Sequence, residues 1–386
     1  MYDVLILGAG ASGLMCAANL SKKLRIGIID VNEKPAKKLK ISGGGKCNIT
    51  NVSVELKHYL GDHQLLESVF KKYSRDQLLD FLERNKIALE LRKGRYYFCK
   101  KSSDDIINLL LRNTNYCEMI LGEKILDLTK KNDFFEIVTE KQNYKSKKVV
   151  VATGGESFKN LGASDIGLQI AQKFDLRVEK FSPALVGLTL QKEQFWMKAL
   201  SGLSCYVKIK VDERVIDEEM LFAHKGISGP AVLSASLYWK KGEISIDFLP
   251  NNEIIKLIKN GGKKLLSSAM PLPKRLAKAL IHAVGFKDKE CNKIGKEELK
   301  LLEKLHRYSF APAGNFGFSK AEVSRGGICS KELDPKTLET KKEKGLYFIG
   351  EVVDITGELG GYNFQWAFSS AYVCAKAIKE AYLTST

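Results

Sequence analysis

The stretch Val4-Leu5-Ile6-Leu7-Gly8-Ala9-Gly10-Ala11-Ser12-Gly13-Leu14-Met15-Cys16-Ala17-Ala18-Asn19 decides how the chain is read. Its first apolar run has the pattern of a strand buried on both faces, and the G-x-G-x-x-G after it opens a helix over 13–23. Gly8 permits a tight turn, Gly10 lets the backbone approach a pyrophosphate, and Gly13 lets the helix pack closely on the sheet. The N–H groups at the helix start then face the phosphates. A second strand over Ile26–Asp30 completes a βαβ unit and ends in an acid. Asp30 is placed to accept hydrogen bonds from a ribose; Glu33 is the weaker substitute because it lies beyond the strand.

Working outward, helical spacing continues over 65–85, and strands are expected at Arg95–Cys99, Lys124–Leu128, Phe134–Thr139 and Lys148–Ala152, with a helix at Asp165–Phe174. From about Leu188 to Leu249 the pattern changes to short strands. Residues 253–308 are helical in character, broken at Pro271-Leu272-Pro273. A buried strand at Gly345–Ile349 and a helix at Phe364–Tyr382 close the chain. The order is α/β, β-rich, α, then α/β again, which an interrupted nucleotide-binding domain explains most simply.

Two distant segments favour FAD over a nicotinamide as the resident dinucleotide. Val149–Gly155 is a strand ending in a small-residue turn that includes Thr153 and Gly154. Gly345–Glu351 is a strand ending in Gly350 plus an acid suited to ribityl hydroxyls, and the Gly360-Gly361-Tyr362-Asn363 turn then opens the last helix. That helix would aim its positive end at the edge of a flavin. Ser42-Gly43-Gly44-Gly45-Lys46-Cys47-Asn48 offers further backbone donors, or is simply a flexible loop. Cys47 and His224, the latter in Phe222–Pro230, are the candidate proton donors; a lone Cys or His is more often a packed residue. No second complete G-x-G-x-x-G occurs, so NAD(P)H is expected only as a transient reductant.

The net charge of +17 has two readings. One is a nucleic-acid partner. The other is compositional drift, since lysines number 51 against 11 arginines. The helical stretch holds 14 Lys or Arg against 6 Asp or Glu. Eight cysteines are scattered without Cys-x-x-Cys spacing, so no zinc ribbon and no metal site is expected, and reduced thiols fit a cytoplasmic location. No apolar run reaches the ~18 residues of a membrane span.

On these motifs the chain resembles the YhiN/BaiN-like NAD(P)/FAD-dependent oxidoreductases. The likeness covers Gly8–Gly13, Lys38–Asn51, Val151–Gly155, Ser182–Val186, Phe222–Pro230, Ala321–Gly327 and Gly345–Ser370, with Gly-Gly-Tyr-Asn-Phe-Gln-Trp-Ala at 360–367 especially distinctive. It implies a split Rossmann-type FAD-binding domain (1–187 and 338–386), an inserted β-barrel-like domain (188–249 and 309–337) and a further inserted helical domain (250–308). The cofactor contacts it implies are Gly8, Gly10, Ala11, Ser12, Gly13, Asp30, Lys38, Gly44, Cys47, Asn48, Thr153, Gly154, Gly350, Asp354, Gly361, Tyr362, Asn363 and Phe364. The chain departs from the family's pattern at Ala36 and Ala371, where Gly is common, at Ala223, where Thr is common, and at Arg325, where a small residue is common.

Members of this family are associated with reduction of uridine to dihydrouridine in large-subunit (23S) ribosomal RNA, and with reduction of enone-type bonds in bile-acid intermediates. Both pass a hydride to a C=C bond conjugated to a carbonyl, with an acid protonating the neighbouring carbon. The first activity is the expectation here, with Lys263, Lys264, Lys274, Arg275 and Lys278 gripping ribosomal RNA. A small-molecule ene-reductase and a flavin-bearing RNA-binding factor without turnover are the alternatives.

Overall fold

The computed structural model describes residues 1–384. It divides into two compact units, residues 1–182 with 323–386 and residues 183–322.

In the first unit the strand Tyr2–Leu7 sits in the middle of a sheet, paired in parallel with Ile26–Asp30 on one side and Asn143–Val151 on the other. Ile26–Asp30 pairs in turn with Glu118–Leu121. The central strand is buried along nearly its whole length, as a strand covered on both faces must be. Asn143–Val151 is shared. Its first half pairs antiparallel with Phe134–Thr139, and its second half, Val149–Val151, pairs in parallel with Leu346–Phe348. A segment more than three hundred residues downstream of the first strand therefore lies in the same sheet. This is the α/β Rossmann-type arrangement. Its helix Ala11–Asn19 packs on the closing helix Tyr362–Leu383.

Where the spacing predicts one helical stretch over 65–85, there are two helices, His63–Lys72 and Arg75–Arg84. Ser74 breaks them: its hydroxyl accepts from Gln77 N while the Gln77 side chain accepts from Ser74 N, a reciprocal cap that starts a new helix. A small sheet, not anticipated as such, joins Asn48–Asn51, Tyr96–Cys99 and Leu89–Arg92.

In the second unit seven strands form an antiparallel sheet, with Ser204–Val211 and Arg214–Ala223 as its longest hairpin. The helices Ile254–Gly261, Lys274–Ala283 and Lys296–Leu302 belong to this unit. Leu276, Leu280 and Leu302 share one apolar core with Val207, Phe222 and Ile246. The stretch 250–308 thus has no core separate from the sheet. Residues 323–337, expected in the β-rich insert, fall in the first unit, because the strand Val323–Ile328 pairs with Val178–Ala184 and its Gly326 backbone lies against Lys180.

Among the described residues no helix is long and apolar enough to cross a membrane, and no group of three or more His, Cys, Asp or Glu is placed to hold a metal ion.

Candidate dinucleotide site

The three glycines of the first turn meet different surroundings. A Cβ on Gly8, where φ is +113°, would sit 2.4 Å from the Ala152 carbonyl oxygen; one on Gly13 would sit 1.9 Å from the Gly8 carbonyl oxygen. These two positions are closed to any side chain by backbone. A Cβ on Gly10 would meet nothing within 4 Å. Gly10 caps the helix Ala11–Asn19 without any side-chain hydrogen bond, and the Leu14 N–H is the first to return to the Gly10 carbonyl. The N–H groups of Ala11, Ser12 and Gly13 are left as the free positive end of the helix, beside open space. This is the shape and charge a diphosphate requires.

Asp30 ends the second strand as expected, but its carboxylate is already engaged. Oδ2 accepts from Ala9 N at 2.7 Å, and Oδ1 accepts from Asn32 N and Asn32 Nδ2 at 2.8 and 3.0 Å. Three donors leave about one lone-pair direction for a ribose hydroxyl. The acid therefore fixes the shape of the glycine turn as well as facing its mouth. Ala36 braces the same turn, its N–H donating to Ala9 O at 2.9 Å. Its φ of +58° explains why Gly is common there.

Behind Ala36 the helix Lys37–Gly45 leaves helical geometry at Ser42, and Gly43, Gly44 and Gly45 all take positive φ. Cβ atoms on Gly44 and Gly45 would meet nothing within 4 Å, so this loop too presents bare backbone. Lys38 reaches across the fold to Glu351, with Nζ 3.0 and 2.8 Å from the two carboxylate oxygens. Glu351 Oε1 also accepts from Ser324 N at 2.8 Å. Gly154 and Gly155 lie against this carboxylate. Gly350, at φ +72°, packs on Ser12, where a Cβ would fall 2.6 Å from the hydroxyl. Segments around residues 8–13, 36–45, 152–155 and 350–351 thus converge. Two buried polar atoms of the expected set, Asn48 Oδ1 and Thr153 Oγ1, have no protein partner. Buried polar atoms without partners are rare, and a bound polar ligand would satisfy them.

At the head of the closing helix, Gly361 (φ +90°) lies so close to Thr50 that a Cβ would be 2.7 Å from its backbone. Asn363 is turned inward. Its Oδ1 accepts from Gly357 N and its Nδ2 donates to Gly357 O, both at 2.9 Å, so it pins the preceding strand. The Tyr362 ring stacks on His58 at 4.7 Å, and Phe364 stacks on Phe368 at 6.1 Å.

Asp354 lines an open depression with Gly61, Asp62, Cys329 and Lys331, a lining that includes none of the glycine-turn residues. His224 is exposed at the turn between Arg214–Ala223 and Gly226–Ser228 in the second unit. Cys47 is fully buried, and burial first, then the neighbouring Cys99 thiol, pushes its own thiol far above the usual range, outweighing a hydrogen bond from Ser42. It is a neutral, enclosed thiol at neutral pH.

Sequence reasoning missed two polar contacts. One is the Lys38–Glu351 bridge. The other joins His58 Nδ1 to Glu358 Oε2 at 2.9 Å beside Tyr362. Neither has a local pattern, since each joins positions about three hundred residues apart. The Gly-Glu pair at 350–351 was the one available signal for the first.

The model of the family described as "HI0933-like protein Rossmann domain" matches residues 2–377. The chain is 36% identical over 391 residues to the ribosomal RNA dihydrouridine synthase of Haemophilus influenzae, covering 97% of this chain and 98% of the relative. It is 35% identical to the protein of the same name from Escherichia coli, with 97% of each covered. It is 27% identical to the 3-dehydro-bile acid delta(4,6)-reductase of Clostridium scindens, over 98% of this chain and all of that one. Among solved structures, a point variant of FrdA from E. coli quinol fumarate reductase aligns with a TM-score of 0.53 at 13% identity, over 100% of this chain and 71% of that one. That likeness is one of fold.

Proposed function

Because the chain belongs to the HI0933-like Rossmann-domain family, we propose that it is an FAD-dependent oxidoreductase that reduces uridine to dihydrouridine in large-subunit ribosomal RNA, with NAD(P)H as the reductant. The single observation that carries the cofactor is the open face of Gly10 beside the uncapped helix N-terminus, in a turn where Gly8 and Gly13 are closed by backbone. The substrate rests on the two full-length relatives named as ribosomal RNA dihydrouridine synthases.

On this reading the N–H groups of Ala11, Ser12 and Gly13 hold the diphosphate, and the remaining acceptor capacity of Asp30 takes a ribose hydroxyl. Gly44, Asn48, Thr153 and Gly154 supply backbone and the two unpartnered oxygens. The Gly361–Phe364 helix start presents a positive end. Lys38, held by Glu351, places a cation beside the Gly154–Gly155 backbone. When bound, the flavin supplies a hydride to a C=C bond conjugated to a carbonyl. An acid of the chain must supply the proton. Cys47 and His224 remain the proposed donors, and the burial of Cys47 means that it would act only if the glycine loop opens around it. In the second unit Lys263, Lys264, Lys274, Arg275 and Lys278 are all exposed and would grip RNA phosphates.

Mass spectrometry of ribosomal RNA from cells lacking the gene tests this reading. Loss of dihydrouridine from the large-subunit RNA, restored by the wild-type gene, is the expected result. Unchanged dihydrouridine refutes it. Rapid NAD(P)H oxidation by the purified protein with a free steroid enone, and none with RNA, would favour the small-molecule reading that the bile-acid reductase relative suggests.

A further inference from the structure

We propose that the hairpin Leu89–Cys99 is a binding surface for single-stranded RNA flanking the target nucleotide, a proposal that rests on the rRNA reading above. From Arg92 to Lys101 the sequence is Arg-Lys-Gly-Arg-Tyr-Tyr-Phe-Cys-Lys-Lys: five cations, three aromatic rings and no acid in ten residues. Basic side chains interleaved with rings suit a strand that offers phosphates and stackable bases in alternation.

The fold puts this segment beside the candidate site. Tyr96–Cys99 pairs with Asn48–Asn51, the strand that leaves the glycine loop. Phe98 lies against Gly43, and Tyr96 against Gly360, where Cβ atoms on the glycines would come within 2.9 and 2.8 Å of the rings. The register sets Arg92 opposite Tyr96 and Glu90 opposite Phe98, so these four side chains share one face. On it the Arg92 guanidinium lies 4.6 Å from the Phe98 ring centre, and the Arg95 guanidinium lies 4.7 Å from that of Tyr96. A guanidinium beside a ring sets a cation next to a planar apolar face, the two features that a phosphate and a base each recognise. On the other face Leu91, 49% exposed, sits opposite the half-buried Tyr97.

Arg92 also pairs with Glu90 at 2.9 Å, and Lys46 approaches the same carboxylate at 3.6 Å. Both pairs are partly exposed, so each is weak and can exchange for a phosphate. The tip supports the same assignment. Lys93 (φ +49°) and Gly94 (φ +64°) form a turn with left-handed geometry at both central positions, where Asn or Gly would be the cheaper first residue. The chain keeps a cation there instead.

The test is fluorescence anisotropy of the FAD-loaded protein with a labelled, uridine-containing single-stranded oligoribonucleotide, as a function of salt, run alongside dihydrouridine formation in cells. For Arg92→Ala/Arg95→Ala the affinity should fall about tenfold or more, and the slope of log affinity against log salt should shrink by about 1.4, roughly 0.7 per lost phosphate contact. Arg92→Lys/Arg95→Lys should keep the slope and lose part of the affinity. A thermal midpoint equal to that of wild type excludes misfolding, and the lysine pair carries the test should the alanine pair unfold. If wild type binds the RNA and the alanine pair binds with the same affinity and slope, the hairpin assignment is wrong while the rRNA reading stands. If wild type neither binds RNA nor forms dihydrouridine, both fall.

Discussion

Substituting Gly10 and Gly13 by alanine separates cofactor contact from fold within one turn. At Gly10 the backbone has an ordinary φ of −81° and an added Cβ meets nothing within 4 Å. Without ligand, Gly10→Ala should therefore change stability little, since the lost unfolded-state freedom, about 0.4–1 kcal/mol, is offset by the poorer fit of alanine at a helix N-cap. The same methyl points into the space assigned to a diphosphate. Overpacking there costs about 1–3 kcal/mol, so FAD should bind roughly 10- to 100-fold more weakly. Gly13→Ala faces the reverse situation. Its Cβ would lie 1.9 Å from the Gly8 carbonyl oxygen, so the helix must move off the sheet, at a cost of about 3 kcal/mol or more. Thermal melts of the cofactor-free proteins, with FAD titrations followed by flavin fluorescence, measure both quantities. Gly10→Ala binding FAD as tightly as wild type would refute the diphosphate assignment. Gly10→Ala melting several degrees lower without ligand would refute the reading of the local geometry.

Ala36→Gly should raise stability by about 0.5–1 kcal/mol, since relief of the left-handed strain exceeds the entropy of the added glycine; chemical denaturation measures it, and a loss of stability would count against the strain. Glu351→Ala should destabilise by about 1–3 kcal/mol and Lys38→Met by less, because the alanine also orphans the Ser324 N–H; equal losses in denaturant melts would contradict this. Cys47 should resist thiol reagents in the native protein and react only on unfolding, whereas the half-buried Cys329 should react natively; peptide mapping after brief labelling decides between the two. The hydrogen bond from Arg177 holds the Glu332 carboxyl below its usual range. A depressed folded-state pKa contributes stability that is present above the unfolded value of about 4.3 and is lost as pH falls through the folded one. Arg177→Gln should therefore cost stability near neutral pH and flatten its decline on acidification; parallel decline in both proteins would exclude the pair as a source of acid sensitivity.

The glycine turn, the acid ending the second strand and the parallel strands were legible because their chemistry is local. Gly8 and Gly13 need their hydrogen atoms for reasons confined to a few neighbouring residues and one adjacent strand. The long closing helix was expected over Phe364–Tyr382, after the Gly360-Gly361 turn, and runs over Tyr362–Leu383. What could not be read joins distant positions: Lys38 with Glu351, His58 with Glu358, and the three strands around the glycine loop, whose pairing depends on a register no single segment encodes. Asp30 was placed correctly at the strand end, yet its three N–H donors come from backbone geometry that residue type does not reveal. The helices of 250–308 turn Leu276, Leu280 and Leu302 into the same interior as the strands. An amphipathic pattern shows that a face is buried and leaves open what it is buried against.

The strand Leu346–Phe348 arrives late in synthesis but pairs with Val149–Val151, made about two hundred residues earlier. During translation the emerging sheet must wait with one edge of its central strands unfilled, while residues 183–322 between them are already able to collapse. A chain that ended before Leu346 would leave Val149–Val151 with an unpaired strand edge. The seam therefore closes only once Leu346–Phe348 has been made.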